Sequence, residues 1–262
     1  MIKRMLASAL VAGCAAWLLA AVLHFAFVQK YILLAEDYET GTAVHFGSAA
    51  PPAEEPASAA PPVEEPASAA PAEGTGAGLD SAAADTGDDM AAMPGDATRN
   101  LWTAVFFGLV YVAYALLMVA GFGLAQVYGK VITAREGLLW GLGGFFALVL
   151  APAMGLAPGL PGTVAAEIGA RQAWWLGTAV SAAIALGLLG YGRGPLAILA
   201  AVVLLAAPHL IGAPQLDGFN GTSPPEVAAA FSARVLGVAF VVWAVMGWVA
   251  GFVWAREADK PA

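Results

Sequence analysis

Residues 194–215 read GPLAILAAVVLLAAPHLIGAPQ, and the fold turns on whether this run lies in water or in lipid. In a soluble core helix His209 would be only a tail. In a membrane helix it stands near one mouth of a bundle, where a titratable ligand can meet an ion. Composition decides between the two. The chain has 262 residues, of which 60% are hydrophobic and 11% charged. Soluble domains carry about 25% charged residues, so the shortfall points to an integral membrane protein.

Working outward from that run, apolar stretches at about 5–28, 101–128, 136–157, 172–190, 195–212 and 230–254 are predicted to span. Each reaches or approaches the roughly 20 residues that a ~30 Å hydrocarbon layer requires. The stretch 195–212 is the shortest and contains Pro208. The expected fold is therefore an all-α polytopic membrane bundle of about six helices. The N-terminus MIKRMLASALVAGCAAWLLAAVLHFAFV has the Lys/Arg start of a secretory signal, but its apolar stretch runs on to Val28. That length favours a retained first membrane helix. The expected layout is a first helix in 1–30 and a juxtamembrane AEDYE segment in 31–48. A disordered acidic loop in 49–98 follows, then about five further helices in 99–256 and a tail from 257.

The basic residues set an orientation. With six spans, Lys3, Arg4, Lys130, Arg135, Arg193, Arg256 and Lys260 share one side, while Lys30, Arg99, Arg171 and Arg234 fall on the other near helix ends. Cytoplasmic loops carry the excess of Lys and Arg. Five spans would move Arg256 and Lys260 to the opposite side, so six spans with both termini cytoplasmic is the expectation.

The net charge of −8 is not spread over a surface, because thirteen of the nineteen Asp and Glu lie between Glu36 and Asp96. Within that region AAPPAEEPAS is followed by AAPPVEEPAS and then AAPAEG. Pro, Ala and Glu at this density favour an extended, solvated chain outside the cytoplasm. Its acidity reads as solubilising. The alternative is a loose cation collector through Asp88, Asp89 and Asp96, with Met90 and Met93 as soft neighbours. No basic face for nucleic acid is visible. Cys14 is the single cysteine, which rules out a disulfide framework and a thiolate cluster and leaves it a place in helix packing.

Ionisable groups within or beside membrane segments are the functional candidates. His24 lies near the end of the first predicted helix, in AAVLHFAF. Glu36 and Glu39 follow three residues apart, and a helix continued through LLAEDYE would put both on one face. Two carboxylates and an imidazole suit a borderline divalent metal such as Co²⁺, Ni²⁺ or Zn²⁺. The plainer reading makes the glutamates interfacial groups pairing with Lys30. His209 falls at the same end as that pair. Its plainer reading is a hydrogen bond to the carbonyls that Pro208 frees, or contact with interfacial water. Asp217 and Glu226 follow in PQLDGFNGTSPPE, and a carboxylate behind Pro224 and Pro225 also suits a helix N-terminus. GLLWGLGG and LGVAFVVWAVMGWVAGF carry glycines spaced for close helix contact. Trp174, Trp175, Trp248 and Trp254 stand where an aromatic belt would.

There is no HExxH, no GxxxxGK[ST] and no GxSxG, so no enzyme is expected and uphill movement of an ion would lack an ATPase within this chain. A membrane enzyme using Glu36, Glu39 and His209 as acid–base groups on a lipid would want more polar groups at the bilayer surface.

Three blocks together carry a family resemblance. They are AEDYE, then APAMGLAPGLPGTVAAEIGARQAWWLGT, then APHLIGAP with PPEVAAAFSARVLGVAFVVWAVMGWVAG. In spread and order they resemble the CbtA family, proposed cobalt transporter subunits of bacteria. The resemblance implies an inner-membrane subunit of a cobalt uptake system feeding cobalamin synthesis, with Co²⁺ as cargo and no resident cofactor. It also implies a small single-span CbtB-like partner with a metal-binding histidine motif, membrane lipid around the bundle, and no nucleic acid. On this reading Glu36, Glu39 and His209 form the shell at the mouth with Glu226 in support, and His24 and Asp217 are further candidates. Arg171 and Gln172 are expected to hold the Pro-rich 152–162 connection. Trp174, Trp175, Pro208, Pro161 and Gly162 are the structural positions of the motif. The chain departs from the family in two ways. The family is generally described with five spans, and the histidine-rich tract that many members carry after AExYE is reduced here to His45. A nickel or zinc transporter, or a non-transporting scaffold, are the alternatives.

Overall fold

The computed structural model describes residues 2–44, 96–218 and 221–258. Among them the regular structure is helical, apart from one isolated bridge between Thr163 and Gly221. The helices are α1 (Ile2–Glu39), α2 (Asp96–Val127), α3 (Ala134–Ala153), α4 (Ile168–Tyr191), α5 (Pro195–Ile211) and α6 (Pro225–Ala258). All but α5 are long and apolar enough to cross a membrane. At 17 residues α5 measures about 25 Å, short of a ~30 Å hydrocarbon layer. The expected six spans thus become five long helices and one short one.

Several helices outrun their hydropathy, each for a local reason. No Pro or Gly interrupts QKYILLAEDYE, so α1 passes through a π-helical turn at His24–Val28 and continues to Glu39. Gly41, at φ +77°, follows its end. The expected juxtamembrane segment is therefore helical through Glu39. Thr133 and Glu136 form a reciprocal capping box that starts α3 earlier than its apolar run. The Glu167 side chain does the same for α4. Helix α2 begins at Asp96, inside the expected loop. The remainder of that loop, with the repeats, Met90 and Met93, lies outside the described residues, as does His45 before it. Residues 46–101 form a unit of their own, described only in the opening turns of α2.

In the other unit α6 runs antiparallel to both α1 and α3. Gly137 and Gly141 of α3 meet Gly247 and Gly251 of α6 backbone to backbone. A Cβ on Gly137 would strike the Gly247 carbonyl oxygen, and one on Gly141 would stand 2.9 Å from Gly247 Cα. Lipid is as apolar as leucine, so such close contact, rather than escape from water, holds membrane helices together. The glycine spacing seen in the sequence is this interface. Helix α1 buries Ala9, Ala12, Ala16 and Ala20. Helix α2 lies along it, Trp17 Nε1 donating to the Ala104 carbonyl at 2.6 Å. Cys14 is exposed and takes no part in that packing. Trp254 is not a belt residue either. It is fully buried, with the Arg4 guanidinium 4.1 Å over its ring, whereas Trp248 stays half-exposed.

Helices α4 and α5 form an antiparallel pair. The pair rests on the second π-helical turn, Phe146–Leu150 of α3, through Ala147, Ala151 and Ala182. Pro208 has no N–H to give the Leu204 carbonyl one turn back. The Ser181 hydroxyl of α4 donates to that carbonyl instead, at 2.6 Å.

Two ends result. Arg4 donates to the Trp254 carbonyl, Trp140 to the Tyr191 hydroxyl, and Lys130 lies over Tyr191, so Arg4, Lys130, Arg135, Arg193 and Arg256 gather at one end. The opposite end holds the close of α1, the 154–167 connection and the 212–224 connection.

Candidate cation site

The opposite end is assembled from the three motif blocks. Glu36, half-buried, and Glu39, exposed, occupy the last turn of α1. Glu39 comes up against Gly162, which has φ +73°; a Cβ there would lie 3.6 Å from Glu39 and collide with the Thr222 hydroxyl. Glycine is needed at this point for both the backbone angle and the space. Thr222 N donates to the Gly162 carbonyl at 3.4 Å, beside the Thr163–Gly221 bridge. Ser232 Oγ donates to the Pro158 carbonyl at 2.8 Å. Leu160 is buried with Val28, Ala35 and Phe231 and anchors the connection between α1 and α6. Lys30 and Arg234 both lie over the ring of Tyr31, at 5.2 and 4.5 Å. Glu226 is exposed in the first turn of α6, as its place behind two prolines suggests, and Asp217 is exposed in the connection before it.

The other part of the site is built on Trp174. Its Nε1 donates to the Pro208 carbonyl at 3.1 Å, and its ring meets His209 edge-on at 6.0 Å. On another side the indole touches Gly155, where any Cβ would strike it. Gln215 Nε2 donates to the Gly155 carbonyl at 3.1 Å and ties the α5–α6 connection to the end of α3. Between α3, α4 and α5 lies a cavity of about 150 Å³, and His209 forms part of its wall with Phe146, Met154 and Leu205. Because Ser181 already satisfies the carbonyl that Pro208 frees, the bend does not need the imidazole.

The sequence candidates therefore fall into three places. Glu36, Glu39 and Gly162 share the α1 side of the mouth, while His209, Pro208 and Trp174 share the cavity side. His24 is separate, half-buried in the π-helical turn and edge-on to Phe107 at 5.0 Å. Twelve residues separate it from Glu36, about 18 Å along the helix. Among the described residues no three His, Cys, Asp or Glu groups stand close enough to hold one metal ion, so the expected shell is not assembled in this conformation. Arg171 is half-buried and Gln172 exposed in the first turn of α4, with Trp175 half-buried and Pro161 in the connection. Sequence reasoning gave the holding of the connection to Arg171 and Gln172 and did not anticipate that role for Ser232, Gln215 and Thr222. Nor did it single out Met154, Ser181 or Glu167. Glu167 accepts from Gly169 N at 2.7 Å and Ala170 N at 2.6 Å, and these backbone donors hold its carboxyl below the ordinary glutamate range. A Glu before an apolar helix was the available signal for that cap.

These features define a polytopic helical membrane protein. Residues 2–255 match the family described as "Probable cobalt transporter subunit (CbtA)". The chain belongs to the CbtA family. Comparison with curated proteins and with solved structures returns no match.

Proposed function

We propose that this protein is the integral membrane subunit of a bacterial cobalt uptake system supporting cobalamin synthesis, and that it passes Co²⁺ inward through its helix bundle. The observation that carries the reading is the family match over nearly the whole chain. The placement of the candidate ligands supports it. Glu36, Glu39, Glu226 and Asp217 make the mouth acidic, which raises the local concentration of a dication. His209 would offer the imidazole that late first-row metals prefer. The chain carries no nucleotide motif, so the membrane potential is the proposed drive. Each charge moving into a negative interior gains about 2.3 kcal/mol per 100 mV, and a dication about twice that. The proposed setting is the inner membrane with both termini cytoplasmic, beside a small single-span CbtB-like partner. No catalytic role is assigned.

The test is accumulation of labelled Co²⁺ in cells stripped of their own cobalt importers. They would carry this chain, this chain with its small partner, or the His209→Ala form of each at equal membrane abundance. The reading expects uptake that falls at least tenfold with His209→Ala. Uptake of Ni²⁺ or Zn²⁺ in place of Co²⁺ would change the cargo. No metal uptake with or without the partner would contradict transport and leave a scaffold.

A further inference from the structure

We propose that Lys30, Tyr31 and Arg234 form a binding site for the phosphate of an anionic phospholipid, where α1 and α6 meet. The site is separate from the carboxylates at the mouth, and it stands whether or not the chain moves an ion.

Both cations lie over one ring. The Lys30 ammonium is 5.2 Å from the centroid of Tyr31 and the Arg234 guanidinium 4.5 Å from it. The ring is fixed, because Tyr31 packs against the cluster of Val28, Ala35, Leu160 and Phe231. Two like charges held on one ring repel each other, and the negative face of the ring offsets only part of that. Among the described residues neither cation has a carboxylate partner, and the Tyr31 hydroxyl makes no hydrogen bond. Arg234 uses one N–H on the Ala230 carbonyl one turn back, at 3.0 Å. Its remaining N–H groups, the ammonium and the phenol hydroxyl are all donors. A phosphate supplies acceptor oxygens and the negative charge that balances the pair.

Depth selects a lipid as the source of that phosphate. Twenty-two residues separate Arg234 from Arg256 on α6, about 33 Å of helix. That length matches a ~30 Å hydrocarbon layer, so Arg234 stands at its edge, where lipid headgroups begin. On α1, Lys30 follows the close of the apolar run at Val28. Apolar surface lies beneath both charges. Phe27, one turn deeper on α1, is exposed, and so are Gly237 and Val241, one and two turns deeper on α6. Nothing stands within 4 Å of the place a Gly237 side chain would begin, which leaves a notch for an acyl chain. Basic pockets between membrane helices hold anionic headgroups in this way. Glu36 lies six residues further out than Lys30. On the transport reading, an anion on the two cations also shields an incoming dication from them.

The experiment is native mass spectrometry of the purified, delipidated full chain in detergent. It would be titrated with dioleoyl phosphatidylglycerol, with dioleoyl phosphatidylcholine, or with inorganic phosphate. The first phosphatidylglycerol is expected to bind about tenfold more tightly than phosphatidylcholine, and millimolar inorganic phosphate is expected not to displace it. Lys30→Gln and Arg234→Gln are each expected to weaken phosphatidylglycerol about fivefold, and the two together roughly twentyfold, with phosphatidylcholine little changed. Arg234→Lys keeps the charge and is expected to hold the affinity within about threefold. Lys30 is exposed, so its replacement leaves the packing intact and the test does not hang on the folding of Arg234→Gln. Equal affinity for the two lipids, or an unchanged preference in Lys30→Gln, would overturn the proposal. So would a loss in Arg234→Lys as large as in Arg234→Gln, which would make the arginine a packing residue. Displacement by inorganic phosphate would overturn the lipid as occupant.

Discussion

At Pro208 the chain gives up a helical hydrogen bond, and the residue that repairs it stands on another helix. Ser181 was invisible as a partner because a serine in an apolar helix reads only as a small residue. His209 was legible, since an imidazole beside a membrane run is costly unless it is used. Trp174→Phe keeps a ring against His209 and removes the donor to Pro208. It should weaken Co²⁺ binding about tenfold, as loss of an orienting contact does, with little change in thermal midpoint; parallel titration and melting check this. Glu167 gives a pH prediction. Its carboxyl is held below the ordinary range, so the cap contributes stability above the unfolded value and loses it as pH falls through the folded one. In Glu167→Gln that acid-side loss should flatten, read as protection of the Gly169 and Ala170 amides in hydrogen exchange from neutral pH to about pH 3.

Among the elements, what the sequence made plain was the spacing of small residues. Gly137, Gly141, Gly247 and Gly251 recur every four positions because two backbones must touch. Adding a methyl at Gly247 forces them apart and should cost about 1–3 kcal/mol. Alanine at Gly237, which has open space around its Cβ position, should cost far less. Unfolding in mixed detergent compares the two. Ser181→Ala should cost about 1 kcal/mol by stranding the Leu204 carbonyl. Helix ends were harder to read than helix existence. Hydropathy falls at Lys30, yet α1 runs on to Glu39 because nothing stops it. The π-helical turns had no signal, since one extra residue in a helical repeat looks like ordinary drift in a run this uniformly apolar.

At the scale of the molecule, the clustering of basic residues at one end follows from helices that alternate in direction. It was readable from the loops alone, although α5 proved shorter than a span. That end is proposed to face the cytoplasm, so reporters fused at either terminus should be active only there. The gathering of Glu39, Gly162 and Thr222 at the other end was not readable, because it depends on two connections meeting across α1 and α6. The most direct measurement is Co²⁺ entry into proteoliposomes holding the purified chain, alone and with its small partner, under imposed inside-negative potentials. The account predicts entry whose initial rate rises with the potential and falls at least tenfold in His209→Ala. No entry above empty liposomes in either preparation, at any potential, would contradict it.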